Sequence, residues 1–314
     1  MRINNNITAI NSHRQYGINN ANLGKNMEKL SSGFRVNRAA DDAAGLAISE
    51  KMRAQIRGLN MASKNSQDAI SLVQTAEGGM QTIQDILQRI RELAVQSASD
   101  TNETKIDRGA LDLEVQELLD EIDQIAATTE FNKMRLMDGS YEDGVPKVDT
   151  AGNPVLNTVS GLQEIGIALI IQAGANEGQI MSISIRALTL GGLGLGNIAP
   201  GTILPPNGSI NANGRIHVGD RLSAEAVLAK VDDALNTVSM QRAKLGAFQN
   251  RLEFKVQNLN NQAENVAAAE SRIRDADMAK MMTEFTKNNI LFQSSTAMLA
   301  QANALPQGVL QLLG

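Results

Sequence analysis

Residues 231–273 read VDDALNTVSMQRAKLGAFQNRLEFKVQNLNNQAENVAAAESRI, and the spacing of the apolar residues in this stretch decides the fold. Every seventh position is aliphatic: Val231, Val238, Leu245, Leu252, Leu259, Val266 and Ile273. An unbroken seven-residue repeat predicts a coiled-coil helix, because underwinding to about 3.5 residues per turn keeps one stripe against a partner. The helix would be about 64 Å long and needs an equally long partner. We expect a bundle seam made of Leu245, Leu252, Leu259, Val266 and Ile273.

The composition favours helix seams over a catalytic pocket or a nucleic-acid surface. Aromatic residues are 3% of the chain, whereas hydrophobic residues are 42%, and ligand pockets normally use more aromatic side chains. The net charge of −5 argues against nucleic-acid binding, which requires a basic face. Without cysteine, disulfides and thiolate metal sites are excluded. The sequence predicts neither a cleaved signal sequence nor a membrane span, so we expect no membrane insertion.

Proline positions separate two helical arms from a different middle, because five of the six prolines lie in residues 146–206. The N-terminal arm, residues 1–34, has helical spacing and a stop at Gly33. Asp41 and Asp42 predict the start of a helix that reaches about Ser99. A further helix carries Leu111, Val115, Leu118, Ile122 and Ile125 in a 4-3-4-3 pattern.

The middle of the chain changes from helical to alternating spacing. Residues 168–172 and 181–185 predict two strands, and the glycine-containing loop 174–178 between them predicts a hairpin. Residues 191–213, rich in Gly and Pro, predict an irregular surface excursion that tolerates change. After Ile273 the heptad phase is lost at Lys280 and resumes at Leu291, Met298, Leu305 and Leu312, which predicts a joint between two coiled segments.

These patterns predict a mainly α fold: an elongated antiparallel helical bundle and coiled coil built from both termini, with a small β-hairpin region in the middle. We expect three parts. Residues 1–44 with 274–314 form terminal coiled-coil arms, residues 45–135 with 222–273 form a long-helix bundle, and residues 136–221 hold the hairpin region and a short surface excursion.

Candidate catalytic and ligand sites are weak. The two histidines, His13 and His217, match no metal motif or catalytic triad. The glycine-rich run 191–196 faintly resembles a phosphate loop but lacks the Lys-Ser/Thr of a P-loop and a strand–helix context. We therefore expect no catalytic residue, no cofactor and no metal, and the chain is predicted not to be an enzyme.

The terminal arms carry apolar stripes that one chain has too few residues to cover. Exposed stripes of this kind predict association with other copies of the chain. The predicted assembly residues are Ile3, Ile7, Ile10, Leu291, Met298 and Leu305. Because ordering each residue costs about 1–2 kcal/mol of backbone entropy, we expect the isolated chain to have a folded centre over residues 45–273 and mobile ends.

Six segments carry a resemblance to a known family. They are LSSGFRVN at 30–37, DDAAGLAI at 41–48, LQRIRELAVQ at 87–96, TEFN at 129–132, GANEG at 174–178 and SRIRDADMA at 271–279. Together with the C-terminal tail, this order of motifs resembles the bacterial flagellins, the repeating subunits of the flagellar filament. The match spans both arms and the hairpin, excluding about residues 141–162 and 191–218.

The resemblance implies functions that periodicity alone does not. It implies a structural subunit in an extracellular filament for motility, exported unfolded by the flagellar type III channel, with terminal arms that line a hollow tube. Implied partners are other copies, an export chaperone, and cap and hook-junction proteins. A Toll-like innate immune receptor is a further implied partner, recognising the positions that match Arg89, Leu93 and Glu114.

Two alternatives differ in class. A hook–filament junction protein shares the terminal-arm design, but such proteins usually depart from the GANEG and RELAVQ segments present here. An enzyme embedded in the same scaffold would need a catalytic insertion, which the histidine-poor middle does not provide.

Overall fold

The computed structural model describes residues 6–99, 106–141, 168–196 and 215–313, with side chains described up to residue 304. Its helices are α1 (Ile7–Ser32), α2 (Ala43–Ser97), α3 (Asp107–Thr128), α4 (Arg221–Arg274) and α5 (Met278–Leu313). Its strands are β1 (Glu130–Phe131), β2 (Met134–Arg135), β3 (Leu169–Gln172) and β4 (Ile180–Ile183). The predicted mainly α fold with a small hairpin region is confirmed.

The chain divides into two compact units. One comprises Met1–Arg57 with Gln262–Gly314, and the other comprises Gly58–Asn261. Helices α2 and α4 contribute to both. The earlier division into three parts stays a prediction.

In the unit Gly58–Asn261, the apolar stripes of three helices meet in one core. Helix α2 contributes Val73, Met80, Leu87 and Ala94 to this core, among others. Helix α3 contributes Val115, Leu119, Ile122 and Ala126, and helix α4 contributes Val231, Val238 and Leu245, among others. Ion pairs at the surface join α2 to α4, with Arg91 Nε donating to Asp232 Oδ1 at 2.8 Å. Because Arg242 pairs with Glu77, the numbering rises along one helix as it falls along the other, so α2 and α4 run antiparallel in this unit.

Two hairpins lie between α3 and α4 in the chain. In the first, Phe131 pairs with Met134, and the turn residues Asn132 and Lys133 have φ of 50° and 65°, as expected for a tight type I′ turn. In the second, β3 and β4 pair antiparallel from Leu169↔Ile183 to Gln172↔Ile180. The two predicted strands and the loop at 174–178 are therefore confirmed, but the second strand ends at Ile183 and not at residue 185.

The second hairpin needs glycine at its contact with α2. A Cβ placed on Gly58 would lie 2.9 Å from the Cβ of Ala175 in the hairpin loop. The loop itself is held by Gln172 Nε2, which donates to the carbonyls of Gly174 and Asn176 at 2.9 and 2.8 Å. Close helix–loop packing of this kind explains why a helix of this length tolerates a residue of poor helix propensity.

The prediction of a surface excursion at 191–213 is wrong for its first part. Leu193 and Leu195 are buried and belong to the core, together with Leu188 and Leu190. The N–H groups of residues 193–196 all donate to backbone carbonyls of residues 189–191, so these amides are not free to bind phosphate. Residues 197–213 lie outside the described part of the chain.

Candidate assembly and recognition surfaces

Helices α1 and α5 form an antiparallel pair in the unit Met1–Arg57 with Gln262–Gly314. The less exposed side of α1 follows an alternating spacing of three and four residues: Ala9, Ser12, Tyr16, Asn19, Leu23, Asn26 and Leu30. The less exposed side of α5 follows the same spacing: Met281, Phe285, Asn288, Phe292, Ser295, Leu299 and Ala302. These two series form the inner seam of the pair, and the spacing is that of a coiled coil.

Polar contacts connect the two helices across the inner seam. Asn19 Nδ2 donates to Ser295 Oγ at 2.6 Å and to the carbonyl of Leu291 at 3.5 Å. Near the other end, Asn6 Nδ2 donates to the carbonyl of Ala302 at 2.7 Å. The rings of Tyr16 and Phe292 lie 5.1 Å apart in a tilted arrangement. The contact between the arms is therefore partly polar, and much of it is made by small or amide side chains.

Larger apolar side chains of both helices point away from this seam. Ile7 and Ile10 are 65% and 63% exposed, Met298 is 63% exposed and Leu291 is 41% exposed. Further exposed apolar residues of the two helices are Ile18, Met27, Met278, Met282 and Ile290. We call this set, with the four above, the outer stripe. Of the six predicted assembly residues, Ile3 and the side chain of Leu305 lie outside the described part.

The second heptad series of α5 does not line the inner seam where its side chains are described. Leu291 and Met298 belong to the outer stripe, whereas Ser295 and Ala302 are buried. The phase change is real but earlier than Lys280, because α4 ends at Arg274 and α5 begins at Met278. Asp277 caps the new helix, since its Oδ1 accepts from the N–H groups of Ala279 and Lys280 at 3.0 and 3.1 Å.

The loop after α1 pairs with the break between α4 and α5. Gly33 ends α1 with a left-handed φ of 73° and donates its N–H to the carbonyl of Lys29 at 2.9 Å, so the predicted stop is confirmed. Arg35 N then donates to the carbonyl of Arg274 at 2.7 Å, and Ala276 N donates to the carbonyl of Gly33 at 3.0 Å. The segments LSSGFRVN and SRIRDADMA, far apart in sequence, are thus joined by backbone hydrogen bonds.

Side-chain charges reinforce this joint. The guanidinium of Arg274 lies 4.7 Å from the ring centre of Phe34 and donates to Glu50 Oε1 at 2.9 Å, which lowers the pKa of Glu50. Asp41 Oδ2 accepts from the N–H groups of Arg38 and Asn37, both at 3.2 Å. The hydrogen bond from Arg38, followed by that from Asn37, lowers the pKa of Asp41.

The three predicted receptor positions occupy two different environments. Arg89 on α2 reaches Glu114 on α3, with Nε and Nη2 at 3.0 and 2.7 Å from Oε1, and the contact raises the pKa of Arg89. Both side chains are about half exposed. Leu93, one helical turn on, is 1% exposed and packs in the core. Arg89 and Glu114 form a surface pair, and Leu93 lies beneath the surface.

The predicted bundle-seam residues also divide by environment. Leu245, Leu252 and Leu259 are buried, whereas Val266 and Ile273 are partly exposed. No group of acidic or histidine side chains in the described ranges could hold a metal ion. Among the described residues, no helix has a segment long and apolar enough to cross a membrane.

Comparisons with known proteins agree on one family. The model "Bacterial flagellin N-terminal helical region" matches residues 3–142, and "Bacterial flagellin C-terminal helical region" matches residues 228–313. The chain is 52% identical to the flagellin of Bacillus subtilis (strain 168) over 100% of both chains. It is 45% identical to the "Flagellar filament 33 kDa core protein" of Treponema phagedenis, again over 100% of both chains.

A solved structure extends the likeness of fold. The putative flagellar hook-associated protein of Vibrio parahaemolyticus aligns with a TM-score of 0.53 at 14% identity, covering 75% of this chain and 100% of that one. At this identity the likeness concerns the fold alone. The matched N- and C-terminal models and the full-length identities instead decide the family: the chain belongs to the bacterial flagellins, which are structural proteins and not enzymes.

Proposed function

We propose that this chain, as a structural subunit of the flagellar filament, assembles through the outer stripe of α1 and α5. The observation that carries the proposal is the orientation of the two helices. Their inner seam contains Ser12, Asn19 and Asn26, while Ile7, Ile10 and Met298 face away from it. In a chain that remains a monomer, so many exposed apolar side chains are in unfavourable contact with water. In a chain that polymerises, they can be buried against neighbouring copies and so stabilise the polymer.

The same orientation supports folding of the arms on assembly. Ordering two helices costs about 1–2 kcal/mol per residue in backbone entropy. The inner seam is apolar only in part, because five of its fourteen residues are Ser or Asn, and it returns less hydrophobic free energy than a seam of leucines would. Covering the outer stripe by neighbouring copies would supply the remainder, as in other segments that fold on binding. Arms that are unstructured before assembly also suit passage through an export channel, bound by an export chaperone.

Polymerisation of purified chain in a precipitating salt, followed by electron microscopy, tests the assembly surface. The variant Ile7→Ser, Ile10→Ser, Met298→Ser should fail to form filaments while its helical content stays that of the parent monomer. The matched control, Ile7→Leu, Ile10→Leu, Met298→Leu, keeps the apolar area and should assemble. Filaments of normal length from the serine variant would contradict the proposal.

Hydrogen exchange on the monomer tests the timing of folding. Amides of α1 and α5 should exchange rapidly in the monomer and become protected in the filament, whereas those in the core of the other unit should be protected in both. Strong protection of α1 and α5 before assembly would contradict the proposal that the arms fold on assembly. It would not contradict the separate proposal that the outer stripe is the assembly surface.

A second function, recognition by a Toll-like innate immune receptor, is supported by the Arg89–Glu114 pair. The pair presents a fixed guanidinium and carboxylate on the surface formed by α2 and α3. We infer that these two groups make the contact and that Leu93 acts through packing. Cap and hook-junction proteins remain proposed partners of the filament ends.

A further inference from the structure

The inner seam of the α1–α5 pair contains a polar contact that an apolar seam would not need. Asn19 is 7% exposed and Ser295 is 9% exposed. Asn19 is also the one buried residue of α1. Its Nδ2 donates to Ser295 Oγ at 2.6 Å and to the carbonyl of Leu291 at 3.5 Å, while Ser295 Oγ in turn donates to that same carbonyl. The amide nitrogen therefore has partners only from α5.

Burying an amide is unfavourable unless its hydrogen bonds are restored, and replacing the partners by apolar groups leaves that unfavourable term uncompensated. In coiled coils a single buried asparagine consequently selects the register in which it meets a polar partner, at some expense of stability. The geometry at Asn19 meets this condition, because a sliding helix would separate it from both acceptors on α5.

Three further contacts define the register along the pair. The rings of Tyr16 and Phe292 lie 5.1 Å apart, Asn6 Nδ2 donates to the carbonyl of Ala302, and Phe34 pairs with Asp275. The hydrogen bond from Asn19 to Ser295 is made in this same alignment.

Sliding α5 by one heptad changes the side-chain partner of Asn19. In one direction Ala302, which has no polar side chain, takes the place of Ser295, and in the other direction Asn288 takes it. The aromatic contact does not distinguish the registers, because Tyr16 meets an apolar residue in each: Phe292 as observed, Leu299 or Phe285 after sliding. Asn19 therefore disfavours the slide that brings Ala302 to it.

We propose that Asn19, through Ser295, is a positioning residue that sets the register of the α1–α5 pair, so that every subunit presents the outer stripe of both helices in the same alignment. This inference rests on the proposed function, because the pair is expected to form fully only when subunits assemble. It goes beyond that function because it assigns the alignment of α1 relative to α5 to a polar contact in the inner seam and not to the apolar outer stripe.

Engineered disulfides measure the register directly, since the natural chain has no cysteine. The pair Tyr16→Cys with Phe292→Cys, at positions whose rings are in contact, reports the observed register. The pairs Tyr16→Cys with Leu299→Cys and Tyr16→Cys with Phe285→Cys report a slide of one heptad in either direction. A slide of one heptad moves a residue by about 10.5 Å along the helix, well beyond the Cα separation of about 4.4–6.8 Å that a disulfide allows.

Each cysteine pair is placed in five backgrounds: the parent chain, Asn19→Leu, Asn19→Ser, Ser295→Ala, and the matched control Asn20→Leu, which replaces an exposed neighbouring asparagine. After mild oxidation of assembled material, parent and control should give only the observed-register disulfide. Asn19→Leu should give at least one slid disulfide in a yield comparable to the observed one. Ser295→Ala, which removes the partner and keeps the amide, should also lower the yield of the observed-register disulfide. Asn19→Ser, which keeps a polar side chain at position 19, should give a higher yield of that disulfide than Asn19→Leu does.

The proposal is overturned if Asn19→Leu and Ser295→Ala both give only the observed-register disulfide. It is equally overturned if Asn20→Leu slides as much as Asn19→Leu. Filament formation by the parent chain is scored separately by electron microscopy. Absence of parent filaments contradicts the assembly function, and the disulfide comparison is then made on the soluble chain, where the same two results decide the register.

Discussion

Replacing Leu93 by alanine should damage the fold and not a contact surface. Leu93 is 1% exposed and belongs to the core that α2 forms with α3 and α4. Truncating a buried leucine removes transfer free energy and leaves a cavity, which together cost about 2–5 kcal/mol. The neighbouring Arg89→Ala change breaks a half-exposed ion pair, which contributes little. Two residues one helical turn apart should therefore have effects on stability of very different size.

Urea denaturation of the full-length monomer, followed by circular dichroism, measures the difference. With a denaturant slope of about 1–3 kcal/mol/M, Leu93→Ala should lower the unfolding midpoint by about 1 M or more. Leu113→Ala is the matched control, because the same atoms are removed from a leucine on α3 that is 70% exposed, and its midpoint should stay near that of the parent. Equal midpoints for Leu93→Ala and Leu113→Ala would refute the assignment of Leu93 to the core.

The same variants separate packing from recognition at the proposed receptor surface. Arg89→Ala with Glu114→Ala should lose receptor activation at an unchanged unfolding midpoint. Leu93→Ala should lose activation only in proportion to its loss of folded protein, so activity returns at low temperature. Full loss with Leu93→Ala at a temperature where its circular dichroism is that of the parent would show that the leucine itself reaches the receptor.

Three further predictions concern the joint and the glycine positions. Acidification below about pH 4 should loosen the loop after α1, because the folded-state pKa values of Asp41 and Glu50 are lowered. Such carboxyl groups stabilise the fold at higher pH, and this contribution is lost as they become protonated. Amide exchange at Arg35, corrected for its intrinsic pH dependence, measures the loosening, and the loss of protection on acidification should be smaller in Glu50→Gln. Gly78→Ala should stabilise α2 by up to about 1 kcal/mol, whereas Gly79→Ala should destabilise it, since a Cβ there would lie 2.8 Å from Thr129 Oγ1 while nothing lies within 4 Å at Gly78; thermal unfolding of the two variants gives the sign of each effect. Leu195→Ser should lower the free energy of unfolding by at least about 2 kcal/mol, and an unchanged urea midpoint would return residues 191–196 to the surface.

The long helices were predictable from sequence because their signals are local and repeated. The apolar heptads of α4, the cap at Asp42 and the stop at Gly33 each act within a few residues. The buried leucines at 193 and 195 were not predictable by the same means. Glycine and proline in that region indicate irregular backbone, but irregular backbone can still enter a core when its amides are paired internally, as they are here.

Gly79 is a second position at which a local sequence signal does not predict the structural role of the residue. Its helix propensity alone marks it as a weak point of α2. The close approach of Thr129, fifty residues later in the chain, makes glycine the residue that fits. Contacts between distant segments therefore reversed the meaning of a local signal.

The inner and outer sides of α5 show why periodicity identifies a stripe but not its partner. Two series a few residues apart repeat every seven residues, one through Leu291 and Met298 and one through Ser295 and Ala302. Hydrophobicity favours the first as a seam, yet the second is the buried one. In a chain that remained a monomer, Leu291 and Met298 would stay exposed to solvent. In a chain that polymerises, these exposed apolar side chains are available to neighbouring copies, and the partly polar inner seam aligns two helices of the same copy. Exchanging Leu291 with Ser295 and Met298 with Ala302 should therefore stabilise the arms within the monomer and abolish the filament. A gain in the helix content of the monomer and the loss of assembly should occur together.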